Sequence, residues 1–470
     1  MSREKNLAKN TMIITIGKLC TQLITFFLLP LYTGILSTAE YGTVDLLNTL
    51  VSLLLPIVTL QVEQGLFREL IELRKDEDNK KILVSSGVIT VILQCILYLI
   101  VFSIISPFVK NDYKIFLAIN VVAYIFASLF LQISRGFGDN KKYALGSFLT
   151  ALFTIVFNVL FLVVFKLGAT GMLLGTMLGQ LVCALYLFFS LKIYKYISFG
   201  KYRKDIIKKV LKYSLPLIPN AISWWVFNAS DRVIASLFLG VEQNGILAAA
   251  VKFSTVYITF YNIFNMSWTE SFSVHVKDKD VDDFFNKMFN VIMNLFAAMC
   301  VGLIACMPFV YPIMVNSKFS FGYNLVPILL IASLFNVVVG LVSVIYIANK
   351  NTKAIASTSI FSAICNIVTH LTLIKFVGLY AAAISTLVSF VIMSIYRYFD
   401  VKKRYFCIKI QKGLVIKTAI VLPIILISYY LNNLYLNIVI ILIAILYAWS
   451  LNKDSIGTIL KFLKRKIKKA

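Results

Sequence analysis

Apolar runs of about 20 residues or more recur along the whole chain, separated by short polar stretches. Six such runs lie at 11–36, 43–67, 82–107, 114–134, 145–165 and 170–191. A basic stretch follows, then six more at 214–239, 246–268, 284–312, 325–347, 354–374 and 379–396. A second basic stretch leads to runs at 414–431 and 434–451. A helix rises about 1.5 Å per residue, so each run is long enough to cross a bilayer core. Only a helix satisfies its own backbone hydrogen bonds segment by segment in lipid. The pattern therefore predicts an all-α polytopic membrane protein with about fourteen transmembrane helices. The run from Met12 to Leu36 is too long for the apolar segment of a signal peptide and reads as the first span.

Composition agrees. The chain is 60% hydrophobic and 14% charged, with a mean hydropathy of +0.86. Soluble domains are closer to half apolar and a quarter charged. The net charge of +25 would point to nucleic acid in a soluble protein. Here the basic residues collect between the apolar runs, as in the cytoplasmic loops of membrane proteins, so no nucleic-acid partner is expected. "KYRKDIIKKVLK" (201–212), "VKKRYFCIKIQK" (401–412) and "KFLKRKIKKA" (461–470) all fall on one side when spans alternate. "RKDEDNKK" (74–81) and "RGFGDNKK" (135–142) join them, which places both termini in the cytoplasm. The seven cysteines form no Cys-x-x-Cys pair, and the only histidines are His275 and His370. Neither a disulfide framework, a metal site nor a bound cofactor is expected.

The two halves resemble each other. "STAEYGTVDLL" (37–47) corresponds to "GVEQNGILAAA" (240–250), and "GDNKKYALGSF" (138–148) to "NKNTKAIASTS" (349–359). "KLGATGMLLGTMLG" (166–179) corresponds to "KFVGLYAAAISTLVS" (375–389). The displacement is about 200–210 residues throughout, or six spans, an even number, so the copies share one orientation. This divides the chain into an N-lobe (1–200), a pseudo-symmetric C-lobe (201–400) and a two-helix extension with a basic tail (401–470).

A few charges remain inside the spans: Lys18, Arg232 and Lys252, with Asp45, Glu63 and Asp231. A charge at mid-bilayer costs upwards of about 2.5 kcal/mol and belongs against protein or water, so such residues mark a pathway or binding site. Helical spacing places them on polar stripes. The first span carries Thr11, Thr15, Lys18, Gln22 and Thr25 on one face. The second has Asp45, Asn48, Ser52, Thr59 and Glu63; the seventh Asn220, Trp224, Asn228 and Asp231. The eighth carries Lys252, Thr255, Thr259, Asn262 and Met266. Serine, threonine and asparagine also hold membrane helices together, at about 0.6 kcal/mol per bond, but that does not explain lysine and aspartate on the same stripes. The four stripes are expected to wall an aqueous cavity. Asp231 and Arg232, adjacent in "FNASDRVIASLFLG" (227–240), point about 100° apart. Asp231 continues the stripe as a cavity or coupling residue, while Arg232 should reach a neighbouring helix or snorkel sideways, with Asp45 or its own neighbour Asp231 as candidate partners.

The chain resembles the multidrug/oligosaccharidyl-lipid/polysaccharide exporter superfamily, and within it the polysaccharide-biosynthesis flippases. The resemblance rests on "LLPLYTGILSTAEYG" (28–42), "ASDRVIASLFLG" (229–240), and "NIVTHLTLIKFVGLYAAAISTLVS" (366–389) with its fainter copy at 158–179. It implies two six-helix lobes that open alternately to each side of a bacterial cytoplasmic (inner) membrane. It also implies a substrate, an undecaprenyl-pyrophosphate-linked oligosaccharide carried to the outer leaflet for O-antigen, capsule or exopolysaccharide synthesis. A glycan polymerase and export machinery would be partners, and H+ or Na+ a coupling ion. On this resemblance Lys18, Lys252 and Arg232 meet the pyrophosphate. Gln22, Asp45, Asn48, Glu63, Asn228, Asp231 and Asn262 are the cavity's polar or coupling residues. Trp224, Tyr257, Tyr261 and Trp268 are candidates for stacking on sugar rings. The chain carries fewer basic residues in its spans than the related lipid II flippases have, which favours another glycan.

A multidrug or cation antiporter of the same superfamily is the alternative, in which Asp45, Glu63 and Asp231 would carry the coupling ion; the basic residues disfavour an organic-cation site. A membrane-embedded glycan enzyme is a remote alternative. "DKD" (278–280) has the form of a metal-binding Asp-x-Asp but reads as a solvated linker before the ninth helix. No enzymatic activity is expected.

Overall fold

The computed structural model describes residues 25–467 except 110, 277 and 350. Every described element is helical. In chain order the helices are α1 (Leu29–Ile35), α2 (Thr38–Val58), α3 (Val62–Glu72), α4 (Glu77–Ile105), α5 (Lys114–Phe137), α6 (Asn140–Val159) and α7 (Gly168–Ser190). They continue with α8 (Lys204–Ser214), α9 (Leu217–Leu239), α10 (Val241–His275), α11 (Val281–Met314) and α12 (Val326–Ala348). The last four are α13 (Thr352–Val377), α14 (Tyr380–Arg404), α15 (Lys412–Leu431) and α16 (Leu434–Ile467). Among the described residues, 12 helices are long and apolar enough to cross a membrane. The other two expected spans are the first, described only from residue 25, and α9. The latter has 23 residues but carries Asp231 and Arg232 in an already polar middle.

Local chemistry sets the helix starts. Ser37 accepts from the Glu40 amide at 3.2 Å while the Glu40 carboxylate accepts from the Ser37 amide at 2.9 Å, a reciprocal capping box for α2. Asp76 and Asp139 cap α4 and α6 through their side chains, and Asn351 caps α13.

The second expected span, 43–67, is broken: α2 ends at Val58 and α3 begins at Val62. Leu60 and Gln61 between them both have positive φ, 50° and 56°. Such values are uncommon outside glycine, and two in succession turn the chain away from the α2 axis. Glu63 therefore does not continue the α2 stripe; it sits in the first turn of a new helix.

The chain forms two compact units: residues 1–236 with 240–245, and residues 237–239 with 246–470. In the first, α6 and α7 pack closely; a Cβ added at Gly175 would lie 2.1 Å from Asn158 Oδ1. The second encloses its core with α11, α12, α14 and α16.

Each unit holds the segment after its α7 or α14 helix by hydrogen bonds from another of its helices. In the first unit, Ser85 of α4 accepts from the Ser198 amide at 2.9 Å and donates to the Ser198 carbonyl at 2.6 Å. The Arg203 amide donates to Ser86 at 3.0 Å. In the second, the corresponding helix α11 uses asparagines one turn apart. Asn286 accepts from the Lys409 amide at 2.7 Å, and Asn290 donates to the Lys409 carbonyl at 2.8 Å and accepts from the Gln411 amide at 2.9 Å. These carboxamides give an extended segment the partners that a neighbouring β-strand would give it. Asn158 and Asn366, which open the two aligned stretches, are likewise both buried.

Candidate functional site

In the first unit, α2 and the start of α10 approach each other backbone to backbone. A Cβ on Gly42 would fall 1.9 Å from the Val241 carbonyl oxygen, and one on Gly245 would fall 2.0 Å from that of Thr38. Only glycine permits this approach at both positions. It brings the polar positions of the two helices together.

Arg232 of α9 donates from Nη1 to Asp45 Oδ1 of α2 at 3.1 Å and to Thr49 Oγ1 at 3.4 Å. The other Asp45 oxygen accepts from Asn244 Nδ2 at 3.5 Å, and Asn244 also donates to the Gly42 carbonyl at 2.9 Å. One turn along, Trp225 Nε1 donates to the Thr49 carbonyl at 2.9 Å and to Ser52 Oγ at 3.1 Å. Thr38 donates to Glu242 at 3.1 Å. The ion pair is partly shielded, with the Arg232 side chain 25% exposed and that of Asp45 13%. Its Coulomb attraction is therefore screened less than at a free surface, and a second hydrogen-bond donor fixes the carboxylate. Asn48 Oδ1, buried on the same face of α2, has no hydrogen-bond partner among the described residues.

Glu63 is 4% exposed and its Oε2 has no hydrogen-bond partner among the described residues. Burial pushes its carboxyl above the ordinary carboxylate range; its own backbone amide and the Thr59 hydroxyl offset part of that shift. Gln94 of α4 donates to the Thr59 carbonyl at 3.1 Å and leaves its own buried Oε1 without a partner.

In the second unit, α10 has two distinct faces. Phe253, Tyr257, Tyr261, Trp268 and Phe272 are buried, while Lys252, Thr255 and Thr259 are half-buried and Asn262 is exposed. The polar stripe therefore faces away from its unit's own core. The aromatic residues expected to stack on sugars lie on the other face. Tyr257 donates to the Phe296 carbonyl at 2.9 Å, Tyr261 packs edge-on against the Phe296 ring, and Trp268 packs against Phe284 and Phe285 of α11. These three rings are core residues here, because tyrosine and tryptophan bury a large apolar body as readily as they belt an interface. Trp224 of α9, by contrast, is 54% exposed. Asp231 is half-buried on α9. Lys18 and Gln22 lie outside the described residues, as does the side chain of Asn228.

The spacing of polar residues does not reveal Arg397. Beside the basic run 401–412 it reads as a helix-end charge, yet it is 1% exposed at the junction of α12, α13 and α14. It donates from Nε and Nη2 to Thr358 Oγ1 at 3.1 and 2.9 Å, from Nη1 to the Val339 carbonyl at 3.3 Å and to Ser343, and from Nη2 to Ser359 at 3.3 Å. Hydroxyls and carbonyls, rather than a carboxylate, hold the charge. Thr358 and Ser359 on the preceding helix, α13, are the only trace of this in the sequence. Asn244 also went unrecognised, because a single asparagine in a helix start carries no periodic signal.

Residues 7–269 match the polysaccharide biosynthesis protein family. The chain belongs to that family. Among solved structures, this polysaccharide biosynthesis protein is similar to the lipid II flippase MurJ in an inward closed conformation. That likeness has a TM-score of 0.71 at 16% identity, covering 95% of this chain and 100% of that one. It is also similar to an inward-facing multidrug resistance MATE transporter of the MOP superfamily, with a TM-score of 0.60 at 14% identity over 82% of this chain and 98% of the other. A MOP-superfamily transporter from Pyrococcus furiosus Vc1, described as having a binding pocket of reversed polarity, gives a TM-score of 0.56 at 12% identity, over 86% and 96% of the two chains. Among curated proteins none matches. These likenesses establish the fold of the multidrug/oligosaccharidyl-lipid/polysaccharide exporters, and with the twelve apolar helices they make this family member a multi-pass membrane protein.

Proposed function

We propose that the protein is a flippase. It carries an undecaprenyl-pyrophosphate-linked oligosaccharide from the cytoplasmic to the outer leaflet of a bacterial cytoplasmic membrane, by alternating exposure of its polar helix faces, and supplies surface-polysaccharide synthesis. Both termini lie in the cytoplasm, and the chain is organised as lobes 1–200 and 201–400 with an extension at 401–470. The step is translocation, with no covalent bond made or broken, so no catalytic residue is assigned.

The observation that supports this best is the position of Lys252. It stands on the α10 face that the unit's core does not use, in line with Thr255, Thr259 and the exposed Asn262. A cation on such a face suits a pyrophosphate, which offers several charged oxygens to ammonium and hydroxyl donors. Arg232 supplies a second cation on α9. Asp45 holds its guanidinium by one nitrogen, which fixes its direction in place of a role in ion coupling. Asp231 and Glu63 remain the candidates for coupling to H+ or Na+. Membership of a polysaccharide biosynthesis family supports the glycan end of the substrate.

Replacing Lys252 by alanine should abolish surface-glycan display while leaving the protein at its normal level in the membrane. Normal display by both Lys252→Ala and Lys252→Glu would contradict a pyrophosphate contact at this residue.

A further inference from the structure

At the end of α11, the second unit holds a cavity of about 320 Å³ with none of the side chains discussed above. Its apolar surfaces come from Pro308, Pro312 and Tyr323, and its polar groups from Asn316, Ser317, Ser320 and Asn432. The volume lies at the lower end of the range for small-molecule sites, roughly 300–1,000 Å³.

The floor is rigid. Tyr323 stacks on Tyr429 with ring centroids 4.1 Å apart and planes 8° from parallel. Each hydroxyl donates to the other residue's carbonyl, Tyr323 to Tyr429 at 3.2 Å and Tyr429 to Tyr323 at 2.6 Å, so neither ring can turn without breaking its hydrogen bond and the stack. Beneath them Tyr311 donates to the Phe319 carbonyl at 2.8 Å. Asn316 accepts from the Lys318 amide at 3.2 Å and opens the 3-10 segment Ser317–Leu325. Asn432 lies just past the end of α15 in the left-handed region, with φ of 48°, a conformation asparagine tolerates better than most residues.

The lining contains no charged side chain. A fitting ligand is therefore neutral. It has one flat C–H face for the proline and tyrosine surfaces, and an edge of hydroxyl groups for two carboxamides and two serines, each able to donate and accept. A pyranose ring has this chemistry. Between Lys412 and Leu431, α15 runs 20 residues, roughly 30 Å at helical rise, so the cavity lies about a bilayer core away from the basic stretch at 401–412.

We propose that this cup binds a neutral pyranose. Its source would be the glycan of the lipid-linked substrate on the side opposite the basic linkers, an assignment that rests on the flippase reading above. Binding there would hold the sugar end after transfer.

The test uses the full chain, purified in a sugar-free phosphocholine detergent. Saturation-transfer NMR is recorded with the methyl pyranosides of glucose, galactose and N-acetylglucosamine. Saturation should reach the ring protons of at least one glycoside. Ser320→Trp and Ser317→Trp, each filling the cup from an exposed position, should weaken that binding at least about tenfold with unchanged Tm. No transfer to any of the three sugars, or equal transfer in both variants, overturns the proposal. The same preparation is then reconstituted and scored for leaflet transfer of a lipid-linked oligosaccharide. Transfer without glycoside binding removes the cup alone, and glycoside binding without transfer removes the flippase reading and leaves the cup.

Discussion

Arg232 of α9 holds Asp45 of α2 at 3.1 Å across 187 positions of sequence, and Asn244 takes the second carboxylate oxygen from the start of α10. Three helices of the first unit thus share one carboxylate. Removing either charge leaves the other partly shielded and unpaired, at a cost of about 2 kcal/mol, the range for hydrogen bonds to charged groups. In a double-mutant cycle of Asp45→Asn and Arg232→Ala, the double variant should lose less stability than the sum of the singles by about 1–3 kcal/mol. Additive losses would show that the contact carries no energy.

The close approach of α2 and α10 makes a sharper prediction. Gly42→Ala puts a methyl group where the Val241 carbonyl oxygen already lies, and only backbone displacement relieves it. A Cβ on Gly34, by contrast, meets nothing within 4 Å. Gly42→Ala should cost at least about 3 kcal/mol, the upper range for overpacking, and Gly34→Ala well under half of that. Thermal unfolding of the two variants in one detergent makes the comparison.

Glu63 gives a pH dependence of known sign. Burial raises its folded-state carboxyl above the unfolded value of 4.5. Between those two values the folded protein binds more protons than the unfolded one, so its stability falls as pH rises through that window, by up to about 1.4 kcal/mol per pH unit, and then levels off. Below 4.5 this contribution is fully present. Glu63→Gln keeps the neutral shape and should remove the dependence, so its Tm exceeds that of the wild type increasingly on the alkaline side. Parallel Tm curves for the two proteins from pH 4.5 to 8 would rule out a buried titrating Glu63.

The asparagine ladder of α11 should be measurable where it acts. Asn290→Ala leaves the Lys409 carbonyl and the Gln411 amide without their partners, at about 2 kcal/mol. Hydrogen exchange should then quicken at the Gln411 amide, while the Lys409 amide, held by Asn286, and the α15 interior keep their protection. Uniform loss of protection across α15 would mean that the ladder supports the whole helix rather than the linker.

The helical spans and the Asp45–Arg232 pairing were legible because each leaves a periodic or charge signal in the sequence. The six-span displacement even aligned Asn158 with Asn366, two buried asparagines at the head of matching stretches. The break at Leu60–Gln61 was not legible, since "TLQV" (59–62) lacks the glycine that usually announces positive φ. Tyr257, Tyr261 and Trp268 were misleading for a different reason. They sit within two residues of the polar stripe in sequence, and at about 100° per residue a two-residue step from Thr255, Thr259 or Met266 carries them to the opposite face, where Phe296 and Phe285 receive them. Arg397 was hidden by its neighbours, because a buried arginine held by hydroxyls looks the same in sequence as a helix-end charge beside a basic loop.

The most direct measurement is leaflet transfer in liposomes carrying the reconstituted protein and a fluorescent undecaprenyl-pyrophosphate oligosaccharide, scored by access of a membrane-impermeant quencher. The wild type should equilibrate the label between leaflets, and Lys252→Ala should reduce the rate at least about tenfold. Label that stays in its original leaflet with the wild type, or crosses equally fast with Lys252→Ala, would contradict a flippase acting through this residue.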